Sequence, residues 1–396
     1  MKKDFFRRFK SMFNVAHFGL FASLLSAFFV LFFLFPEFFA SGVSYVRDSE
    51  AINSIKKIIK PDLPPLDTVL YDKKINELAN NPSPKPPTTK IIKDPKTGEE
   101  TTITVEPNPI VYPWPVKTIY PNAGAILPFS RIIAYYGNLF STKMGALGEY
   151  PEEEMLQRLD VEVKKWEIAD PSTPVVPALH YIAVVAQGSP GADGKYRARM
   201  PDSEIEKVLA MAEKIPARPH DNSGAGGNAI VFLDFQVGFS TIQTELPMFE
   251  KYFKLPNVHL GVDAEFSMKT GIRPGKVVGT YDAQDINFAV NYLAKIVKEN
   301  NIPPKVLVVH RYTQKMITNY KLIEPLPEVQ IVMHMDGWGG KAKKINTYQQ
   351  FIYKEPVQFT GFKLFYKNDI LTPGTVLMTP YDLLKLSPQP IYVQYQ

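Results

Sequence analysis

The run Val258-His-Leu-Gly-Val-Asp-Ala-Glu-Phe266 is apolar in its first half and then places Asp263 and Glu265 two residues apart. Side chains alternate faces along a strand, so both carboxylates are expected to point the same way. The pattern recurs. Asp234 and Gln236 share a face at the end of Ala229-Ile-Val-Phe-Leu-Asp-Phe-Gln-Val-Gly238, and His334 and Asp336 share one in Val329-Gln-Ile-Val-Met-His-Met-Asp-Gly-Trp-Gly339. Strands that begin apolar and end polar suggest a sheet whose carboxyl edge carries a site.

Carboxylates, amides and aromatic rings on one edge suit a sugar, because rings stack on pyranose faces while Asp, Gln and His bind hydroxyls. Cleavage of a glycosidic bond commonly takes two carboxylates, one as acid and one as nucleophile or base. Glu265 is the expected acid, since the like charge of Asp263 raises its pKa. Asp336, expected roughly across the sheet's mouth, is the nucleophile or base, with Asp234 as the alternative partner. Asp263 stands with Glu265 and Asp336 as a catalytic candidate. Substrate contacts are expected from Asp234, Gln236, Tyr136, His310, Tyr312, Trp338 and Tyr366, with Trp338 as a stacking platform. The competing reading is a structural network in which these acids pair with Arg311 or Lys363.

Other chemistries fit less well. His310, His334, Asp234 and Asp263 could hold a divalent ion, but the first strand lacks the paired histidines of a metal hydrolase. No metal and no cofactor is therefore expected, and His180 and His259 read as core histidines. No Gly-x-Ser-x-Gly elbow supports Ser-His-Asp catalysis. Ser223-Gly-Ala-Gly-Gly-Asn228 precedes a strand instead of opening a helix, so it is no phosphate cradle. The absence of cysteine excludes disulfides, thiol catalysis and thiolate metal sites.

Strand-like and helix-like segments alternate from Arg131 onward. The expected strands are Arg131–Gly137, Ala178–Gln187, Ala229–Val237, Val258–Phe266, Val277–Tyr281, Lys305–Tyr312, the run from Val329, and Thr360–Tyr366. The clearest helices are Pro151–Trp166, acidic in its first turn as the helix dipole prefers, and Gln284–Asn300, with Ile286, Ala289, Val290, Leu293 and Val297 on one side. Eight strands, each followed by a helix, match an α/β (β/α)8 TIM barrel, placed at 122–396. A doubly wound open sheet would show fewer strands and a Gly-rich first turn, where this chain has Tyr-Tyr-Gly-Asn.

Thirty-five prolines against 23 glycines point to extended segments, and many of the prolines fall in a linker or stalk at 41–121. Within it, Lys90 to Val105 suggests a hairpin around Lys96-Thr-Gly-Glu99. Residues 18–40 read as an N-terminal transmembrane signal anchor, because Phe18 to Phe35 is a charge-free apolar run. The basic residues of 1–17 before it keep that segment cytoplasmic and export the rest. A cleaved signal peptide is the rival, although the Ala-x-Ala pattern is missing. The formal charge of +5 comes largely from this amino-terminal cluster, so nucleic acid is not an expected partner. The expected partners are the lipid bilayer and a glycan or cell-wall polymer.

The stretch from about Arg131 to Gln396 resembles a family of uncharacterised exported or envelope-anchored bacterial proteins. The resemblance rests on Ala134-Tyr-Tyr-Gly137, Leu233-Asp-Phe-Gln-Val-Gly238, the Val258–Phe266 run, Val308-Val-His-Arg-Tyr312, Met335-Asp-Gly-Trp338 and Tyr392-Val-Gln-Tyr-Gln396. It implies an extracytoplasmic location and no defined activity. More loosely, carboxylates at the fourth and seventh strands look like the arrangement in barrel glycosidases. Many of those carry Glu at both places, and Asp336 departs from that. The expectation is a membrane-anchored, glycoside hydrolase-like barrel acting on envelope or extracellular glycans. The alternative is a catalytically silent barrel that binds a glycan or a protein.

Overall fold

Arg131-Ile-Ile-Ala-Tyr-Tyr-Gly137 is the first of eight parallel strands that close on themselves. The structure is a computed structural model and describes residues 63–83, 85–108, 110–216 and 229–396. It begins with α1 (Thr68–Ala79) and a hairpin of β1 (Thr88–Lys93) and β2 (Glu100–Val105), which matches the hairpin expected there. Then come β3 (Arg131–Gly137), α2 (Glu152–Ala169), β4 (Val175–Ala186), β5 (Arg197–Arg199), α3 (Asp202–Glu213) and β6 (Ile230–Phe235). After α4 (Ile242–Glu245) and α5 (Glu250–Phe253) follow β7 (Val258–Asp263), β8 (Tyr281–Asp282), α6 (Ala283–Asn300), β9 (Lys305–Arg311) and β10 (Ile317–Thr318). The chain closes with β11 (Val329–Met335), α7 (Lys341–Tyr348), β12 (Phe359–Leu364), α8 (Pro380–Leu383) and β13 (Tyr392–Tyr395).

The strands lie in the order β3-β13-β12-β11-β9-β7-β6-β4, and β4 pairs back with β3 to close the ring. The barrel is as expected, but one of its strands is not the expected one. Of Val277–Tyr281 only Tyr281 is in a strand: Tyr281–Asp282 pairs with Ile317–Thr318 outside the ring. Val277 and Val278 stay 38% and 40% exposed. Gly279 explains the failure, because a Cβ there would run into the carbonyls of Ala264, Glu265 and Ser267, so this segment lies against a turn and not in a ladder. The eighth stave is instead β13, a four-residue alternation too short to announce itself by periodicity. Every strand after the fourth therefore moves one place. Asp336 follows the sixth strand, not the seventh, and the seventh delivers Lys363.

All eight strands are buried on both faces, which is why they read as near-continuous apolar runs. Inside the ring the lower layers are apolar, with Ile132, Ala134, Val176, Phe232, Val308 and Val332 in one cluster. Outside, α2 and α6 cover the sheet with the apolar faces their spacing predicts. An Asp282/Asp285 capping box starts α6 and Asn301 ends it in the left-handed region.

Part of the stretch read as a stalk packs on the barrel. Leu63–Gln396 form one compact unit, in which Tyr71 of α1 joins the interior cluster beside Leu127. Gln330 ties Leu127 to β11 by donating to its carbonyl at 2.5 Å. Trp114 donates to the Tyr353 carbonyl at 2.9 Å. The anchor expected at 18–40 and the basic segment 1–17 lie outside the described residues. Among the described residues, no helix is long and apolar enough to cross a membrane.

Arg311 does not pair with the inward acids, as the competing structural reading had it. Its guanidinium faces away from the site, donates to the carbonyls of Thr313, Gln314 and Phe351, and pairs with Glu355 at 2.5 Å. Breaking such a buried pair costs about 3–5 kcal/mol. Arg311→Met should lower the urea unfolding free energy by about that much while leaving ligand binding in the cleft intact; a change below about 1 kcal/mol would show that the pair does not hold this corner.

Candidate active site

Above the apolar layers the inward positions turn polar. They deliver Tyr136 from β3, His180 from β4, Asp234 from β6, Asp263 from β7, His310 from β9, His334 from β11 and Lys363 from β12. All are buried, so each must find a partner or a reason to lack one. Asp234 accepts from the Tyr136 hydroxyl at 3.0 Å. Gln236 donates to Tyr136 at 3.2 Å and to Asp263 at 3.4 Å. His310 Nδ1 meets Asp336 at 2.9 Å, and Lys363 meets the other Asp336 oxygen at 3.0 Å. Lys363 also lies 3.7 Å above the Tyr136 ring, a cation–π contact inside the barrel.

These contacts set the charges. Burial alone would raise the Asp336 carboxyl, but Lys363 and His310 outweigh it and hold it well below the usual carboxylate range. Burial works against a charged His310 as well, yet Asp234 and Asp336 on either side push it up to about 10. Burial pushes His180 down to about 4, although Asp234 beside it pulls the other way. Asp263 is raised far above its ordinary value, first by burial and then by Asp336 and Glu265.

Glu265 is placed differently from the expectation. β7 ends at Asp263, and Ala264–Phe266 form a 3-10 turn, so Glu265 is not on the strand face. Asp263 starts that turn by accepting from the Glu265 backbone N–H at 3.0 Å. The Glu265 carboxyl is raised, first by burial and then by Asp336, while a hydrogen bond from Tyr312 pulls the other way.

A cleft of about 490 Å3 opens over this floor. Of the candidate residues, Tyr136, Gln236, Asp263, Glu265, Tyr312, Asp336 and Trp338 line it. Trp338 is 49% exposed, with the Lys343 ammonium 4.6 Å from its ring centre. Three expected contacts do not belong there. Asp234 and His310 lie fully buried beneath the cleft. Tyr366 points outward, bonds Tyr135 at 3.1 Å and stacks on Tyr395, and the cleft takes its neighbour Phe365 instead. The alternation carried a signal for Phe365, since Gly361, Lys363 and Phe365 share the inward parity of β12 and its extension. Phe266, Lys343, Thr347 and Gln396 also line the cleft and carried no such signal. A cavity of about 890 Å3 against the outer side of α2 holds none of these groups.

The general acid reading has a signed pH consequence. A proton donor works only while protonated, so turnover should fall as pH rises through the raised Glu265 value. Tyr312 stabilises the charged form, so Tyr312→Phe should move that alkaline limb to higher pH. A limb that stays put, or moves down, in a kcat–pH profile would separate Glu265 from it.

Fold and site together define a closed (β/α)8 barrel with a carboxylate-lined cleft at the carboxyl ends of its strands. No protein-family model matches the chain, and no curated protein matches it, so the resemblance to an exported family has no counterpart there. Solved structures do match, and two of them are described by what they are. One is "Cellulase Cel5C_n", at 12% identity and a TM-score of 0.31, covering 59% of this chain and 65% of that one. The other is a ruminal GH26 endo-beta-1,4-mannanase, at 13% identity and a TM-score of 0.32, covering 74% of this chain and 67% of that one. The chain thus spans just under two thirds of the cellulase, 65% of its length. Likeness at this level carries no argument about activity.

Proposed function

We propose that the protein is a glycoside hydrolase that acts on envelope or extracellular glycans, held at the membrane by residues 18–40 with its barrel outside. The observation that carries this reading is the placing of Glu265 and Asp336 in one open cleft in unlike surroundings. Glu265 sits beside the Tyr312 phenol with its carboxyl raised, which suits a proton donor to a leaving glycosidic oxygen. Asp336 is fixed from behind by Lys363 at 3.0 Å and His310 at 2.9 Å, which suits a carboxylate that attacks the anomeric carbon or activates water. Trp338, Tyr312, Phe266 and Phe365 bring aromatic side chains into the lining of the cleft, as a sugar site needs.

The Asp336–Lys363 pair also favours a second reading, the silent barrel, because an acid locked to a lysine can serve structure alone. Binding and release of reducing ends separate the two. The full-length chain should liberate new reducing ends from an envelope glycan that it binds. Binding with no release would leave a binding module.

A further inference from the structure

Below the cleft, His180 Nε2, His310 Nε2 and Asp234 Oδ1 converge, all on fully buried side chains. The carboxylate oxygen lies 3.4 Å from the His180 nitrogen and 3.5 Å from the His310 nitrogen. Both separations exceed a good N–H···O hydrogen bond, about 2.7–3.2 Å. None of the three atoms has another hydrogen-bond partner. Three unpartnered polar atoms facing one another in a buried interior are costly unless something joins them.

We propose that these three atoms form a binding site for a divalent transition-metal ion of the zinc class. A tetrahedral ion with bonds of about 2.0–2.2 Å holds its ligand atoms about 3.3–3.5 Å apart, the spacing seen from Asp234 to each histidine. The far side of every ligand is already held. His180 Nδ1 meets the Tyr392 hydroxyl at 2.6 Å, His310 Nδ1 meets Asp336 at 2.9 Å, and Asp234 Oδ2 accepts from Tyr136 at 3.0 Å. An ion bound at the centre would displace the proton that Asp234 and Asp336 favour on His310; with each Nδ1 then the donor, both Nε2 lone pairs would face it, as metal-bound imidazoles held by outer partners do. Gly261 leaves the room, since a Cβ there would collide with both Asp234 Oδ1 and His180 Nε2. His180 is thus no ordinary core histidine, and the set differs from the His310, His334, Asp234 and Asp263 considered from sequence. The site stands independently of the glycosidase reading.

The test uses the full-length chain, stripped with chelator and titrated with Co2+ and then Zn2+. About one Co2+ per chain should bind with the visible absorption of a low-coordinate nitrogen–oxygen site, and Zn2+ should displace it and raise the unfolding temperature. Asp234→Asn and His310→Gln should abolish the band. Tyr392→Phe removes only an outer hydroxyl and should weaken Zn2+ binding about 10–100-fold, which keeps the test decisive if a ligand variant fails to fold. Wild-type chain without a band or a zinc-dependent stabilisation would overturn the proposal. So would a band that survives in folded Asp234→Asn, or Zn2+ affinity unchanged in Tyr392→Phe.

Discussion

Glu265→Gln should lower kcat on a cleaved glycan by about 10²–10⁴-fold, the usual contribution of a positioned proton donor. The change replaces one carboxyl oxygen with an amide nitrogen at a residue that lies in a turn, outside the barrel's strands, so the fold should persist. Asp263 caps the turn through the Glu265 backbone, which the substitution leaves in place. Activated substrates whose leaving group needs no proton should lose far less. Equal losses on both substrate types would mean that Glu265 binds sugar but donates no proton.

Asp336→Asn should have the second large effect, and it should appear in two measurements. Turnover should fall by about 10²–10⁴-fold, since an amide neither attacks nor accepts a proton. Stability should fall by about 3–5 kcal/mol, because Lys363, buried to 2% exposure, loses the carboxylate 3.0 Å away. The double variant Asp336→Leu/Lys363→Met should recover part of that stability and none of the activity, since apolar groups of similar size can replace a buried pair. Asp336→Asn with full turnover and reduced stability would assign the pair to structure alone.

The sequence made the barrel legible because strands buried on both faces leave unbroken apolar runs, and helices such as α6 carry a plain one-sided pattern. β13 escaped notice because four residues hold too little periodicity, and Val277–Tyr281 misled because a short apolar run says nothing about what it pairs with. The cleft acids were legible for the same reason as the strands: polarity appears where an apolar run ends. What lay beneath was not. Alternation predicts that Asp234 and His310 point inward, but it does not say how deep they sit. Nor does it say that His180, on a strand well removed from that of His310 around the ring, turns its own ring toward the same oxygen. Gly261 is silent in composition and becomes informative only when a Cβ is seen to have no room. Tyr366 shows the other limit, a one-residue error in parity that exchanges the cleft for the outer core.

The most direct test of glycan cleavage at this cleft is reducing-end release from isolated cell-envelope glycans by the full-length protein, run side by side with Glu265→Gln. Wild-type protein should generate new reducing ends in proportion to its concentration, and the variant should bind the same glycan and generate almost none. Release that continues undiminished in the variant, or wild-type protein that binds and releases nothing, would contradict it.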